Sequence, residues 1–394
     1  QLERIYVINR DGRNLIIVDG VRQKFINQIS LNYSPSQIAV NPQTNEIFVA
    51  GSPLGSVFII TDSKEKAQES LPITQIEIGI NLIKLLIEEE TNKVYALNQR
   101  PGEIVIVDGV LKKIQVRIQI DGSPRDFVLN KNNQKIYITD NQNDRVVVVD
   151  EKNSRVSNSI PIGLAPRNIV FNPNLNKIYV LNWGDNSVSI IDTLTEKVIV
   201  TRQIGEHPVD MKLNLKTNKV YITNAFDHSL TVVDGQNNDA ISKIDLPSED
   251  LPEKLVRDEE FNKIFVSSDG NNVLTVIDGQ TNNIEKRIDL YGQIQDIKLN
   301  PVAHQVYLTN SELNNLNIID VKNYSLNVLG EKRAEMERKI YGPIMIWGTK
   351  PGKLLILNSF SNNLATFDLK TLSYLDTIQV GLRPEKLFGD PDID

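Results

Sequence analysis

The sequence predicts an all-β fold, a single closed β-propeller of nine four-stranded antiparallel blades, on three recurrences. A Tyr or Phe sits inside a short apolar strand at Tyr6, Phe48, Tyr95, Tyr137, Tyr179, Tyr221, Phe265 and Tyr307, with Leu355 in the ninth place. The commonest spacing is 42 residues, which is a propeller period. An Asp ends each following apolar strand, at Asp19, Asp62, Asp108, Asp150, Asp192, Asp234, Asp278, Asp320 and Asp368. Nine candidate inner strands keep the same register, beginning near Pro35, Leu82, Pro124, Pro166, Pro208, Pro252, Ile294, Pro343 and Pro384. An eight-bladed ring with one degenerate repeat outside it is the alternative, because 326–341 is the least regular stretch.

Within one period the elements follow in a fixed order. Lys177–Asn182 and Ser187–Asp192 are short, rich in β-branched and aromatic residues, and bounded by Asn, Gly and Asp, as strands of an antiparallel meander are. A more polar strand follows over 196–204, and a fourth over Pro208–Asn214. Val146, Val147, Val148 and Val149 are apolar at successive positions, so both faces of that strand must be dry. A blade sandwiched between two others meets this requirement. The polar third strand, with Arg117, Gln119, Lys286 and Arg287, suits the outer edge, where charge discourages edge-to-edge pairing.

The chain opens on a Tyr-type strand at 5–9 and closes on an inner strand at 384–388. Residues 1–394 are therefore expected to form one domain, with the C-terminal inner strand (about 384–388) completing the blade of the N-terminal strands (about 4–31). The opening at Gln1 without an initiator Met points to a removed leader or a trimmed chain, and so to export. Asn-Tyr-Ser sequons stand at Asn32 and Asn323.

Composition narrows the function classes. The 394 residues are 40% hydrophobic and 24% charged, enough to build a large core. A net charge of −7, without basic clusters interleaved with aromatics, makes nucleic acid a poor partner. No apolar run reaches the roughly 18 to 20 residues that a spanning helix needs. The absence of Cys removes disulfides, thiolate nucleophiles and Cys metal sites together.

In the strings Tyr179-Val180-Leu181-Asn182, Tyr221-Ile222-Thr223-Asn224 and Tyr307-Leu308-Thr309-Asn310, followed by Ser-Val-Ser-Ile-Ile-Asp-type strands and a Gly-x-x-Pro step, the chain resembles the YVTN β-propeller repeat family over nearly all its length. Members of that family are commonly seven-bladed, so nine repeats are a departure. The family includes surface-layer and periplasmic proteins, and related propellers include lactonases and subunits of periplasmic dehydrogenases. The resemblance thus implies a scaffold in the periplasm or on the cell surface and leaves the chemistry open.

The loops divide into two sets, one on each face of the ring. The first set is monotonous: Asn172-Pro173-Asn174-Leu175-Asn176 and Asp192-Thr193-Leu194-Thr195 read as tight turns capped by Asn and Asp, and the nine terminal Asp residues belong to it. The second set varies, through Asn9-Arg10-Asp11, Gln99-Arg100-Pro101, Trp183-Gly184-Asp185, Phe226-Asp227-His228, Ser268-Asp269-Gly270 and Phe360-Ser361-Asn362. Variation on one rim of a repetitive ring is where propellers carry specificity. Arg10, Arg100, Trp183, Asp185, Phe226, His228 and Phe360 are the candidate rim residues, with the aromatics either binding a partner or capping neighbouring blades.

The channel mouth has its own candidates: Arg125, Asp126, Arg167, His207, Asp210, Lys254, Asp296 and Lys386. Asp126, Asp210 and Asp296 fall on alternate blades, too far apart to share one calcium ion's ligand shell. None of His207, His228 and His304 has paired metal spacing or a nucleophile placed beside it, so no catalytic group, metal or cofactor is assigned. The charged insertions at 63–69 and 331–339 read as solvated surface, with a docking role for the second as the alternative.

The expectation is an extracytoplasmic binding or scaffold protein that recognises another protein or a small ligand through its variable rim. The alternatives are a small-molecule enzyme of the propeller lactonase or cofactor-assisted dehydrogenase-subunit type, and a structural surface-layer protein.

Overall fold

The computed structural model describes residues 4–20, 22, 24–52, 55–63, 71–237, 239–290, 292–301, 303–310, 312–329, 343–349, 352–368, 371 and 373–388. Their strands form nine four-stranded antiparallel sheets arranged as the blades of a propeller. Numbered from the inner strand Ser34–Asn41, the fifth blade is representative: Pro208–Asn214 innermost, then Lys219–Asn224, Ser229–Asp234 and Ala240–Asp245 outermost. The ninth blade joins the two ends, since Pro384–Phe388 pairs antiparallel with Arg4–Asn9, with Val7 opposite Leu387.

The eight-bladed alternative fails at the seventh blade. Leu326–Leu329 pairs with Asn315–Asp320 and takes the outermost place, so the irregular repeat belongs to the ring. Its inner strand begins at Asp296 rather than near Ile294. The rest of the irregular stretch and the insertion at 331–339 lie outside the described residues, as does all of the insertion at 63–69 except Ser63.

The core lies between blades. Tyr179, Leu181, Val188 and Ile190 of the fourth blade pack against Met211, Leu213, Val220 and Ile222 of the fifth. Each fully buried large aliphatic side chain contributes about 1.5–3 kcal/mol over leaving it in water, which is why the central strands are apolar at successive positions. Outermost strands alternate instead, as in the Lys113–Gln119 pattern, because only one row of side chains meets a neighbour.

Polar ties hold each blade to the next on the monotonous face. The Tyr137 hydroxyl donates to the Thr193 carbonyl at 3.2 Å, that of Tyr179 to Asp239 at 3.2 Å, and that of Tyr221 to the Gly279 carbonyl at 3.1 Å, each acceptor lying in the next blade's outer turn. The terminal Asp residues close these turns by accepting backbone N–H groups, as Asp192 does from Leu194 and Thr195. Asp62 also accepts the Tyr6 hydroxyl, at 2.9 Å.

On the variable face, the terminal Asn of the Tyr strands in the fourth and fifth blades explains the Gly-x-x-Pro step. Asn182 is fully buried and donates to Ser187 and Ser189, and a side chain at Gly163 would meet its amide at 2.5 Å. Asn224 and Gly205 repeat the arrangement one blade later, with a Cβ at Gly205 2.7 Å from the Asn224 Cβ.

Candidate binding rim

Two local devices place the candidate residues. The first is a bulge, two residues facing one, after the proline that opens the inner strand of the third, fourth, fifth and sixth blades. A bulge re-aims side chains and breaks local pairing. It contains Arg125–Asp126, Arg167–Asn168, Val209–Asp210 and Glu253–Lys254 in turn. The freed backbone is satisfied by Thr139, whose hydroxyl reaches the carbonyls of both Asp126 (3.2 Å) and Arg167 (3.1 Å) and so draws two inner strands together.

The second device is a backbone hydrogen bond from a variable loop to the residue just before the inner strand, which opens on proline in the ninth, fourth and fifth blades and on Leu82 in the second. Arg10 donates to Arg383, Gln99 to Asn81, Trp183 to Ala165 and Ala225 to His207. Ala165, His207 and Arg383 have φ of 49°, 54° and 48°, in the left-handed region and against the extended preference of a residue that precedes proline. Because Ala165 shares it, this backbone belongs to the repeat and not to one site.

In the fourth and fifth blades these devices bring four candidates into a ladder. The Arg167 guanidinium lies 3.9 Å from the Trp183 ring centroid. Trp183 meets His207 edge to face at 5.7 Å, and His207 stacks on Phe226 at 4.2 Å with an interplanar angle of 11°. Phe226 remains 63% exposed. Partial burial, reinforced by the neighbouring Arg125, pushes the Arg167 pKa down, which marks a cationic pair short of counter-charge. Among the described residues no carboxylate lies within ion-pair distance of Arg125 or Arg167.

Most other candidates are held in structural bonds. Asp185 accepts the Ser187 hydroxyl at 2.7 Å, and His228 Nδ1 lies 2.6 Å from the Asp250 carbonyl. Asp250 is itself fully buried against Arg287, at 2.5 and 2.9 Å. Asp126 accepts Lys84 (2.6 Å) and the backbone of Ile169 in the next blade (3.3 Å). Asp210 does likewise with Leu255 N–H, at 3.2 Å. Lys254 donates to the Gln295 carbonyl, and Lys386 to Gln37 at 2.9 Å. Asp126, Asp210, Lys254 and Lys386 thus form a girdle, each reaching to the following blade. Burial raises the Asp296 pKa against the pull of Lys298 and Lys254, and lowers that of Lys386. Arg100 is exposed beside the cis Arg100–Pro101 bond.

A second feature of the rim lies where the ring closes. Arg10, Phe360, Arg383 and Glu385, with Ile344, Ser359 and Pro384, line a cleft of about 790 Å³. Its cations are paired, Arg10 with Glu385 and Arg383 with Asp11, both at 3.7 Å. Sequence reasoning missed Arg383 and Glu385 as members of one cleft with Arg10; the Gly-x-x-Pro step at 381–384 was the signal that could have placed them. Among the described residues no group of three or more His, Asp or Glu is arranged to hold a metal ion, and no helix is long and apolar enough to cross a membrane.

No protein-family model matches the chain, and no curated protein matches it. Solved structures do. The crystal structure of a eukaryotic initiation factor superposes with a TM-score of 0.73 at 9% identity, covering 98% of both chains. Dihydro-heme d1 dehydrogenase NirN in complex with DHE gives 0.64 at 11% identity, covering 98% of this chain and 75% of that one. Apo AztD from Citrobacter koseri gives 0.60 at 14% identity, covering 98% and 96%. At such identities the likeness is one of fold, and it agrees with the nine-bladed ring.

Proposed function

We propose that this chain is an extracytoplasmic binding protein that recognises its partner through the variable rim, with the fourth and fifth blades as the main contact. One observation carries the reading: a ladder of Arg167, Trp183, His207 and Phe226, half-buried in the middle and exposed at its two ends, built from loops of two blades and held on the repeat's own backbone bonds. Trp and Arg dominate interface hot spots, and a large exposed ring is costly unless something covers it. The resemblance to YVTN repeats supports the compartment and the scaffold class.

The test is affinity capture with wild type and a Trp183→Ala, Phe226→Ala double variant, followed by a measured Kd for the captured partner. Loss of about 2 kcal/mol or more, over tenfold in Kd, is expected for removal of two hot-spot rings. Equal Kd values would remove the ladder from consideration.

A second reading is favoured by the cleft at the ring closure. Its volume suits a small ligand, and the similar NirN structure is of a dehydrogenase in complex with DHE. On this reading Arg10 and Arg383 would take an anionic group and Phe360 an apolar one. A thermal-shift screen of small carboxylates against wild type and Arg383→Gln decides it, with no shift in either counting against the cleft.

A further inference from the structure

We infer that the ladder docks an acidic, extended segment of a partner protein, with carboxylates on Arg125 and Arg167 and an apolar side chain on Phe226. This rests on the rim being the binding face and names the chemistry of what binds there.

Several cations at the mouth and on the rim have carboxylates, Lys84 with Asp126, Arg10 with Glu385, Arg145 with Asp140 and Arg117 with Glu103, while Lys254 and Lys386 donate to the Gln295 carbonyl and to Gln37. Arg125 and Arg167 have none among the described residues, although the bond from Thr139 to the backbone of Asp126 and Arg167 holds their strands side by side. Among the described residues the Arg167 guanidinium rests on the Trp183 ring alone, which leaves its N–H groups available to a carboxylate. Two such groups side by side repel each other, and a bound anion relieves that repulsion.

The apolar surface beside the arginines favours a chain over a small anion. Successive contacts of 3.9, 5.7 and 4.2 Å link Arg167 to Phe226, a path of at most about four extended residues at roughly 3.3 Å each. Exposed Leu164 and Leu251 continue the apolar strip into the flanking loops, 52% and 37% exposed. Leu164 lies against Gly184, beside Trp183, where an added Cβ would meet its own at 3.1 Å.

The experiment selects from a random dodecapeptide display library on wild-type protein. The enriched peptide is then titrated by fluorescence polarisation against wild type, Arg125→Gln/Arg167→Gln, Trp183→Ala/Phe226→Ala and a charge-matched Arg155→Gln/Arg202→Gln control on exposed outer strands. The inference expects Asp or Glu three to five positions from an aromatic or large aliphatic residue in the enriched peptides. It also expects tenfold or greater loss of binding in the first two variants, wild-type binding in the control, and weakening as salt is raised. Four results overturn it: no acidic enrichment, retained binding by the arginine variant, displacement by benzoate at the concentration that displaces peptide, or self-association of the chain that the arginine variant abolishes. Retained binding by the arginine variant together with loss in the aromatic variant leaves the rim reading standing. Retention by both removes the rim reading as well.

Discussion

The Tyr179 hydroxyl of the fourth blade donates to Asp239 of the fifth at 3.2 Å, and the same carboxylate accepts Lys177 Nζ at 2.7 Å. Asp239 is 1% exposed, so one buried anion satisfies two donors of the neighbouring blade. Asp239→Ala strands the Tyr179 hydroxyl, leaves Lys177 only the Gly235 carbonyl at 3.0 Å, and should cost about 3 kcal/mol, the range for breaking a buried pair from one side. Tyr179→Phe removes one neutral donor and should cost about 1 kcal/mol. In urea melts the double variant should cost less than the two singles together, because both singles remove the same Tyr179–Asp239 hydrogen bond. Strict additivity would deny the coupling.

Alkali should unfold the protein through its tyrosines. Burial raises the hydroxyl pKa of Tyr6, Tyr33, Tyr95, Tyr179, Tyr221 and Tyr307, and pushes that of Tyr137 up to about 12. These folded values exceed the unfolded value near 10, so the stabilisation is complete below pH ~10 and is lost as pH rises through the folded values. Tyrosinate absorbance of the buried rings should appear together with loss of β circular dichroism above pH ~10. Tyr137→Phe should move that transition to higher pH. Ionisation of these rings in a still-folded protein would contradict the account.

Asp210 should matter for stability and not for peptide binding. Its carboxylate accepts Met211 N–H at 2.8 Å and Leu255 N–H at 3.2 Å, joining two inner strands. Asp210→Ala should cost about 1.5–3 kcal/mol, as for hydrogen bonds to a charged group, and leave binding of the enriched peptide unchanged. A stable variant with altered binding would return Asp210 to the recognition surface.

Gly205→Ala should destabilise more than an exposed loop substitution does. The added Cβ would lie 2.5 Å from the Asp227 carboxylate and 2.7 Å from Asn224, whose place is fixed by Ser229 and Thr231. Overpacking of this kind costs roughly 1–3 kcal/mol. A thermal midpoint equal to that of wild type would show that the loop yields freely.

Much of the fold was legible because a blade is local. Strand, turn and strand follow within one period, so Tyr179 and Asp192 mark their places by spacing alone, and the same marks counted nine units. The candidate site was legible only in part. Arg125, Arg167, Trp183, His207 and Phe226 could each be assigned to the mouth or the variable rim, but their spacing says nothing of a ladder. The girdle was less legible still: Asp126 and Asp210 read as mouth acids, and their bonds to Ile169 and Leu255 join residues 43 and 45 apart.

The sequence by itself determined the blade, its repetition and which loops vary, because hydrophobic alternation and turn chemistry act over a few neighbouring residues. Tertiary structure alone decided that His207 stacks on Phe226 while Arg125 and Arg167 share a mouth without a carboxylate partner among the described residues. Those facts depend on how far one sheet turns against the next and on the bulge after each proline, and packing between blades sets both.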